Sequence, residues 1–216
     1  MSQTALKRTC MRDQIREVLV ARILDGTYPA GTQLKELTLA REFNVSQAPI
    51  REALRELEGS GLVTSERFRG TRVRGADFDE MRESYELRIM LEVRSVELAA
   101  PYARELLDEL DHLVRVMESA LKVDDQERYI DHALRFHRRL VESSRNRTFL
   151  RLWDSLLWDI RGRIALRRLI ETGRSLKPVI ALHRALVARL RAQDVAGSGE
   201  RVSEILERVK AVFASK

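Results

Sequence analysis

Over the first 75 positions, hydrophobic residues recur first at helical spacing and then in alternation. Ile15, Val18, Leu19 and Ile23 lie three to four residues apart and Gly26 closes the run, which predicts a helix over about 12–24. TYPAGTQL follows, with Pro29 and Gly31 marking a turn into a short extended piece. Leu37, Leu39 and Ala40 predict a second short helix over about 35–43, and Asn44 suits the left-handed turn after it. Ser46 is placed to N-cap a third helix with Pro49 in its first turn. Ile50, Ala53, Leu54 and Leu57 continue that helix until Gly59 and Gly61. LVTSERFRGTRVRG then reads as two short strands around a turn near Phe68–Gly70.

Beyond Gly75 the pattern is helical throughout, with two prolines and no strand-like alternation of any length. About six helices are predicted, over 77–104, 105–122, 126–144, 147–171, 176–193 and 199–214. The change of character near Gly75–Asp77 divides the chain into residues 1–75 and 76–216.

Composition narrows the class. Apolar residues make up 44% and charged residues 33%, a balance suited to a soluble protein with a real core. No run of about eighteen apolar residues exists to span a membrane. The N-terminal stretch has no apolar signal core, and Cys10 is the single cysteine, so a disulfide framework and a CxxC metal site are excluded. The expected location is the cytoplasm. The net charge is +6, and its distribution is uneven: residues 1–75 hold thirteen Lys/Arg against nine Asp/Glu, the rest 26 against 24. Arg67, Arg69, Arg72 and Arg74 crowd the strand pair, as a solvated loop or as a polyanion contact.

Two helices joined by a short turn and followed by a two-stranded ribbon make a winged helix-turn-helix. The N-terminal end of the second helix fits the major groove, and here it offers Ser46, Gln47, Ala48 and Arg51, with Arg55 one turn on. Gln pairs with adenine, Arg with guanine or phosphate, and the Ser46 hydroxyl beside a helix N-terminus suits a phosphate oxygen. Arg69, Gly70 and Arg72 of the wing suit the backbone or the minor groove. Each residue also has a plainer reading: Ser46 as an N-cap, Gln47 as a surface polar group, Arg51 and Arg55 as partners of Glu52, Glu58 or other neighbours.

GTYPAGTQLKELTLAREFNVSQAPIREALRELEGSGLVTSERFRGTRV resembles the signature of the GntR family of bacterial regulators. The matching positions include Gly26, Gly31, Leu34, Leu39, Ala40, Val45, Ser46, Pro49, Arg51, Glu52, Ala53 and Leu54, then Gly61, Leu62, Val63, Arg69 and Gly70. Gln47 stands where the family usually has Arg, which implies a different operator base. Looser motifs at 85–100, 135–150 and 181–194 are similar to the helical effector (FCD) domain of the FadR-like branch.

The resemblance implies a mainly α protein: an N-terminal winged helix-turn-helix with a small β-hairpin wing, then an all-α antiparallel bundle of about six helices. It further implies a homodimer, a pseudopalindromic double-stranded DNA operator and a small-molecule effector, with repression as the expected sign.

Many such domains bind a metal through an Asp, a His four residues later and two further His. Here His137 and His183 match two of these positions, whereas Ala133 and the neighbourhood of Ile205 occupy the others. Asp131 and His132 lie about 120° or more out of phase with His137. A divalent ion, zinc or nickel, would have only His137 and His183, so the expectation is an effector site lined by Arg88, His137 and His183 without metal or other cofactor. Arg88 needs an anionic partner, either Glu92 four residues on or a carboxylate effector. Trp153 and Trp158 are core or pocket walls; Arg161, Arg163, Arg167 and Arg168 steer an anion or form a solvated face.

Two competing readings remain. One is a constitutive DNA-binding protein with a vestigial pocket. The other is an enzyme using His132, His137 and His183, for which no carboxylate in phase, phosphate loop or nucleophile motif is present, so the chain is read as a non-enzyme.

Overall fold

The computed structural model describes residues 11–24, 26–66, 70–74 and 77–214. The chain divides between Asp77 and Phe78 into two compact units.

The first unit contains α1 (Met11–Leu24), β1 (Gln33–Leu34), α2 (Glu36–Glu42), α3 (Gln47–Gly59), β2 (Val63–Glu66) and β3 (Gly70–Val73). Its core is built from Ile15 and Leu19 of α1, Leu39 and Ala40 of α2, and Ile50, Ala53, Leu54 and Leu57 of α3. The periodicity of α1 is shifted from expectation: Val18 is exposed and Val20 is buried. Leu37 is exposed as well, so only two of the three apolar residues of α2 reach the core. Asn44 adopts φ 52° in the turn between α2 and α3. The wing has a third strand. β3 pairs with β2 from Val63↔Val73 to Glu66↔Gly70, and its other edge takes β1 at Gln33↔Arg72 and Leu34↔Thr71, all antiparallel. Gly70 opens β3 at φ +80°, a conformation that strains any residue with a Cβ, and a Cβ there would also press on Gln33 Nε2 at 3.3 Å.

The second unit is helical: α4 (Phe78–Ala99), α5 (Arg104–Lys122), α6 (Gln126–Ser143), α7 (Arg147–Ser155), α8 (Trp158–Glu171), α9 (Lys177–Arg191) and α10 (Val195–Lys210), closed by a 3-10 turn at Ala211–Phe213. Three junctions share one device, in which a left-handed residue ends one helix and the next residue caps the following one. Asp124 precedes the cap Asp125, Arg145 precedes Asn146, and Gln193 precedes Asp194, whose side chains accept from Arg128 N, from Thr148 N and Phe149 N, and from Gly197 N. Fully buried side chains such as Leu110, Met117, Ile130 and Phe136 fill the interior, each worth about 1.5–3 kcal/mol of apolar burial.

Two boundaries differ from the pattern reading. The stretch 147–171 is two helices, because Leu157 takes φ 52° and breaks it, so the described bundle has seven helices. α10 starts before Gly197 and Gly199 instead of after them. Both glycines are helical, one lying against the Asp194 cap and the other facing Val93 Cγ1 at 3.2 Å from where a Cβ would be. No described helix is long and apolar enough to cross a membrane.

Candidate functional site

α3 buries Ile50, Ala53, Leu54 and Leu57, and this turns Ser46, Gln47, Ala48, Arg51 and Arg55 outward together. Ser46 has extended backbone (φ −70°, ψ 165°), and its side chain makes no capping hydrogen bond. Its hydroxyl and the first N–H groups of α3 are therefore available to an anion at a helix N-terminus.

Arg51 forms a fork on Glu36, the first residue of α2. Its Nε donates to both carboxylate oxygens at 3.1 Å and its Nη2 to Oε2 at 2.7 Å. This hydrogen bond raises the Arg51 pKa and lowers that of Glu36. The partners weighed from sequence, Glu52 and Glu58, are not the ones Arg51 uses. Arg72 donates through Nη1 to the Gly31 carbonyl at 3.1 Å, and Arg69 lies outside the described residues.

In the helical unit, Arg88 and Glu92 of α4, His137 of α6 and His183 of α9 converge in the interior with side chains at most a few per cent exposed. Glu92 accepts from Arg88 Nε and from His137 Nδ1, both at 2.6 Å. His183 Nδ1 donates to the Val179 carbonyl at 2.7 Å, which leaves its Nε2 as an acceptor. The two Nε2 atoms face one another at 3.3 Å. A bond between them needs a hydrogen on one Nε2; with both Nδ1 hydrogens already engaged, that makes an imidazolium. Burial opposes this. It draws His137 below its ordinary value against the pull of Glu92, and takes His183 down to about 3, with the charge of His137 acting in the same direction. The neutral pair instead presents two acceptors to one point. Burial works against ionisation of Glu92 too, but His137 and Arg88 outweigh it and hold the carboxyl below the usual range.

The Arg88 guanidinium lies between aromatic rings, 4.8 Å from the Trp158 centroid, 5.0 Å from that of Trp153 and 5.4 Å from that of Tyr85. Glu92 is thus its partner, and Nη1 makes only a long 3.4 Å contact with the Tyr85 hydroxyl. The arginine run of α8 is engaged internally. Arg161 is buried on Glu80 and Ser84, Arg163 and Arg167 pair with Glu127, Arg163 also with Asp131, and Arg168 binds the Val212 carbonyl. His132 lines a surface cleft with Arg135, Arg138 and Arg163, apart from the buried pair.

Tyr85, Arg88, Tyr129, Ala133, His137, His183 and Ile205 line a cavity of about 10 Å³, room for about one water-sized group. Leu134 lines both this cavity and the surface cleft, and so forms the wall between them. It rests on Gly162, where a Cβ would collide with its Cδ2.

The four positions of the metal motif do come together, but Ala133 and Ile205 contribute only hydrocarbon. No group of three His, Cys, Asp or Glu able to hold an ion occurs among the described residues. Two imidazoles do not make a three- or four-ligand site, so these residues do not fit the metal.

The His183 shift predicts a pH dependence of stability. The unfolded imidazole titrates near 6.5 and the folded one at about 3. The unfolded chain thus binds the extra proton across that window. Stability is full above pH 6.5 and declines as pH falls from there toward 3. The urea midpoint of the protein is expected to drop between pH 7 and 4.5, and to drop less in His183→Asn, whose Nδ2 can keep the bond to Val179. An equal drop in the variant contradicts this origin.

Comparison with known proteins bears on both units. Residues 11–73 match the model of "Bacterial regulatory proteins, gntR family", and residues 83–208 match that of the "FCD domain". A Paenarthrobacter nicotinovorans protein described as a probable D-xylose utilization operon transcriptional repressor is 30% identical over 88% of this chain and 82% of its own length. The gluconate operon transcriptional repressor of Bacillus licheniformis is 29% identical over 80% of this chain and 72% of its own. Among solved structures, the E. coli protein McbR/YncC superposes with a TM-score of 0.76 at 23% identity, covering 94% of this chain and 96% of that one. A GntR regulator from Rhodococcus sp. RHA1 gives 0.75 at 22%, covering 95% and 99%; at these identities the likeness is one of fold.

Proposed function

The chain belongs to the gntR family of bacterial regulatory proteins and carries an FCD domain, and from that premise we propose that it is a DNA-binding repressor whose hold on an operator is set by an anionic small molecule bound around Arg88, His137 and His183. The observation that carries the effector half is the buried network itself. An arginine, a glutamate and two histidines inside an apolar bundle are weak contributors to stability, and perturbed polar groups converging on a cavity are what a binding site requires. The repressor names of the relatives support the sign of regulation. Ser46, Gln47, Ala48, Arg51 and Arg55 would read or grip the operator, with Arg69, Gly70 and Arg72 of the wing on its backbone. Residues 1–75 would bind DNA, and residues 76–216 would pair two copies across a pseudopalindrome in the cytoplasm.

A constitutive DNA binder is the second reading, and the small volume of the cavity favours it. A catalytic histidine set gains no support, since His132 lines the surface cleft and not the cavity. Anisotropy titration of the chain's own upstream duplex at moderate salt, with a panel of metabolic carboxylates, separates these readings. The proposal expects specific binding that one of the anions weakens at least about tenfold. Specific binding indifferent to every anion supports the constitutive reading, and absence of specific binding removes both.

Gln47 carries its own prediction. Gln47→Arg is expected to move the preferred base at one operator position from adenine toward guanine, with discrimination of about 1–3 kcal/mol. A panel of single-base operator variants reads this out, and an unchanged preference takes Gln47 off the base edges.

A further inference from the structure

Resting on the effector reading of the cavity, we propose that Tyr129 is a specificity-determining residue of that site, and that the molecule bound there carries a hydroxyl held between Tyr129 and the His137/His183 pair. Tyr129 is fully buried and lines the cavity, yet its hydroxyl has no hydrogen-bond partner among the described residues. Burying a polar group without a partner costs free energy, and a core that needed only the ring would be served by phenylalanine. On the same cavity, the Nε2 atoms of His137 and His183 converge as acceptors because their Nδ1 atoms are committed to Glu92 and Val179. The space among these groups, about 10 Å³, suits one oxygen atom and its hydrogen.

A hydroxyl there donates its single hydrogen to one imidazole Nε2 and accepts from Tyr129. The indole N–H groups of Trp153 and Trp158, whose rings flank Arg88, are also buried without partners among the described residues, but neither ring lines the cavity. The class that fits is a hydroxylated carboxylate: the acid group goes to the η nitrogens of Arg88, which Glu92 leaves unclaimed, and the hydroxyl goes to Tyr129. The rest of such a molecule needs more room than the cavity has, and displacement of Leu134 toward the surface cleft is the route that supplies it.

D-gluconate and hexanoate test this, as six-carbon monocarboxylates with and without hydroxyls. Calorimetric titration of the full chain and of Tyr129→Phe gives affinities, and thermal denaturation without ligand gives stability. The expected results are that gluconate binds at least about tenfold more tightly than hexanoate, that Tyr129→Phe reduces this ratio about tenfold, and that the unliganded variant melts no lower than the parent. A lower melting point in the variant would show that the hydroxyl serves the fold. Equal binding of the two acids, an unchanged ratio in the variant, or no binding of either acid would each overturn the proposal. Release of the operator by a different anion, with both probes inert, would leave the regulator reading standing while this one falls.

Discussion

Glu92→Gln is expected to be among the most destabilising single substitutions in the helical unit, costing about 3–5 kcal/mol. The change is isosteric, so what it removes is charge. Arg88 and His137 both donate to this carboxylate at 2.6 Å, and neither has another anion within hydrogen-bonding distance among the described residues. Leaving the guanidinium buried without its counter-charge is the dominant loss. Differential scanning calorimetry should show a fall in Tm on the order of 10 °C. Arg88→Met combined with Glu92→Leu removes both charges at once, and is expected to recover most of that loss, since a buried ion pair can be exchanged for well-packed apolar groups at little cost. The double variant should nonetheless lose its response to effector. A single variant as stable as the parent would mean that the pair is not closed to water in solution.

Arg51→Ala carries the largest expected effect on DNA binding, roughly a five- to 150-fold loss of operator affinity. Glu36 holds the Nε and Nη2 edge of the guanidinium, leaving Nη1 outside that fork. The arginine is therefore ordered before DNA arrives, which reduces the entropy lost on contact. Arg51→Lys should rescue little, because an ammonium cannot reproduce the fork. Anisotropy against operator and scrambled duplex checks both statements. A loss confined to operator marks a base contact, and a uniform loss with a shallower salt slope marks a phosphate contact. Unchanged affinity for both duplexes takes Arg51 out of the interface.

Much of the DNA-reading unit was legible because its determinants are local. The spacing of Ile50, Ala53, Leu54 and Leu57 settles which side of α3 is outward, and Asn44 marks the turn by a preference of its own side chain. Groups that depend on tertiary approach were not legible. Glu36 reaches Arg51 across 15 positions and Glu92 reaches His137 across 45. Leu157 breaks a continuous helical pattern although leucine has no preference for φ 52°, so nothing in the local sequence marks the break. Gly197 and Gly199 misled for the opposite reason. Glycine often marks a helix end, but here Gly197 sits against the Asp194 cap and Gly199 lets α10 approach Val93 of α4. Arg161, read as one member of a solvated or anion-steering run, is buried on Glu80 and Ser84. At the buried site, the one-turn spacing of Arg88 and Glu92 and the match of His137 and His183 to two positions of the family's motif pointed to these residues from sequence. Tyr129 gave no such signal, because an unpartnered hydroxyl is visible only once its surroundings are known.

In the proposed regulator one molecule holds two sites linked in free energy, an operator surface on α3 and a ligand cavity behind Leu134. Linkage requires reciprocity: if a ligand weakens operator binding by some factor, operator must weaken ligand binding by the same factor. The most direct measurement is the affinity of the wild-type chain for the carboxylate that releases its operator, taken by calorimetry with and without saturating operator duplex. The two affinities are expected to differ by the factor seen in the DNA titration. Equal affinities in the two conditions would contradict the linkage.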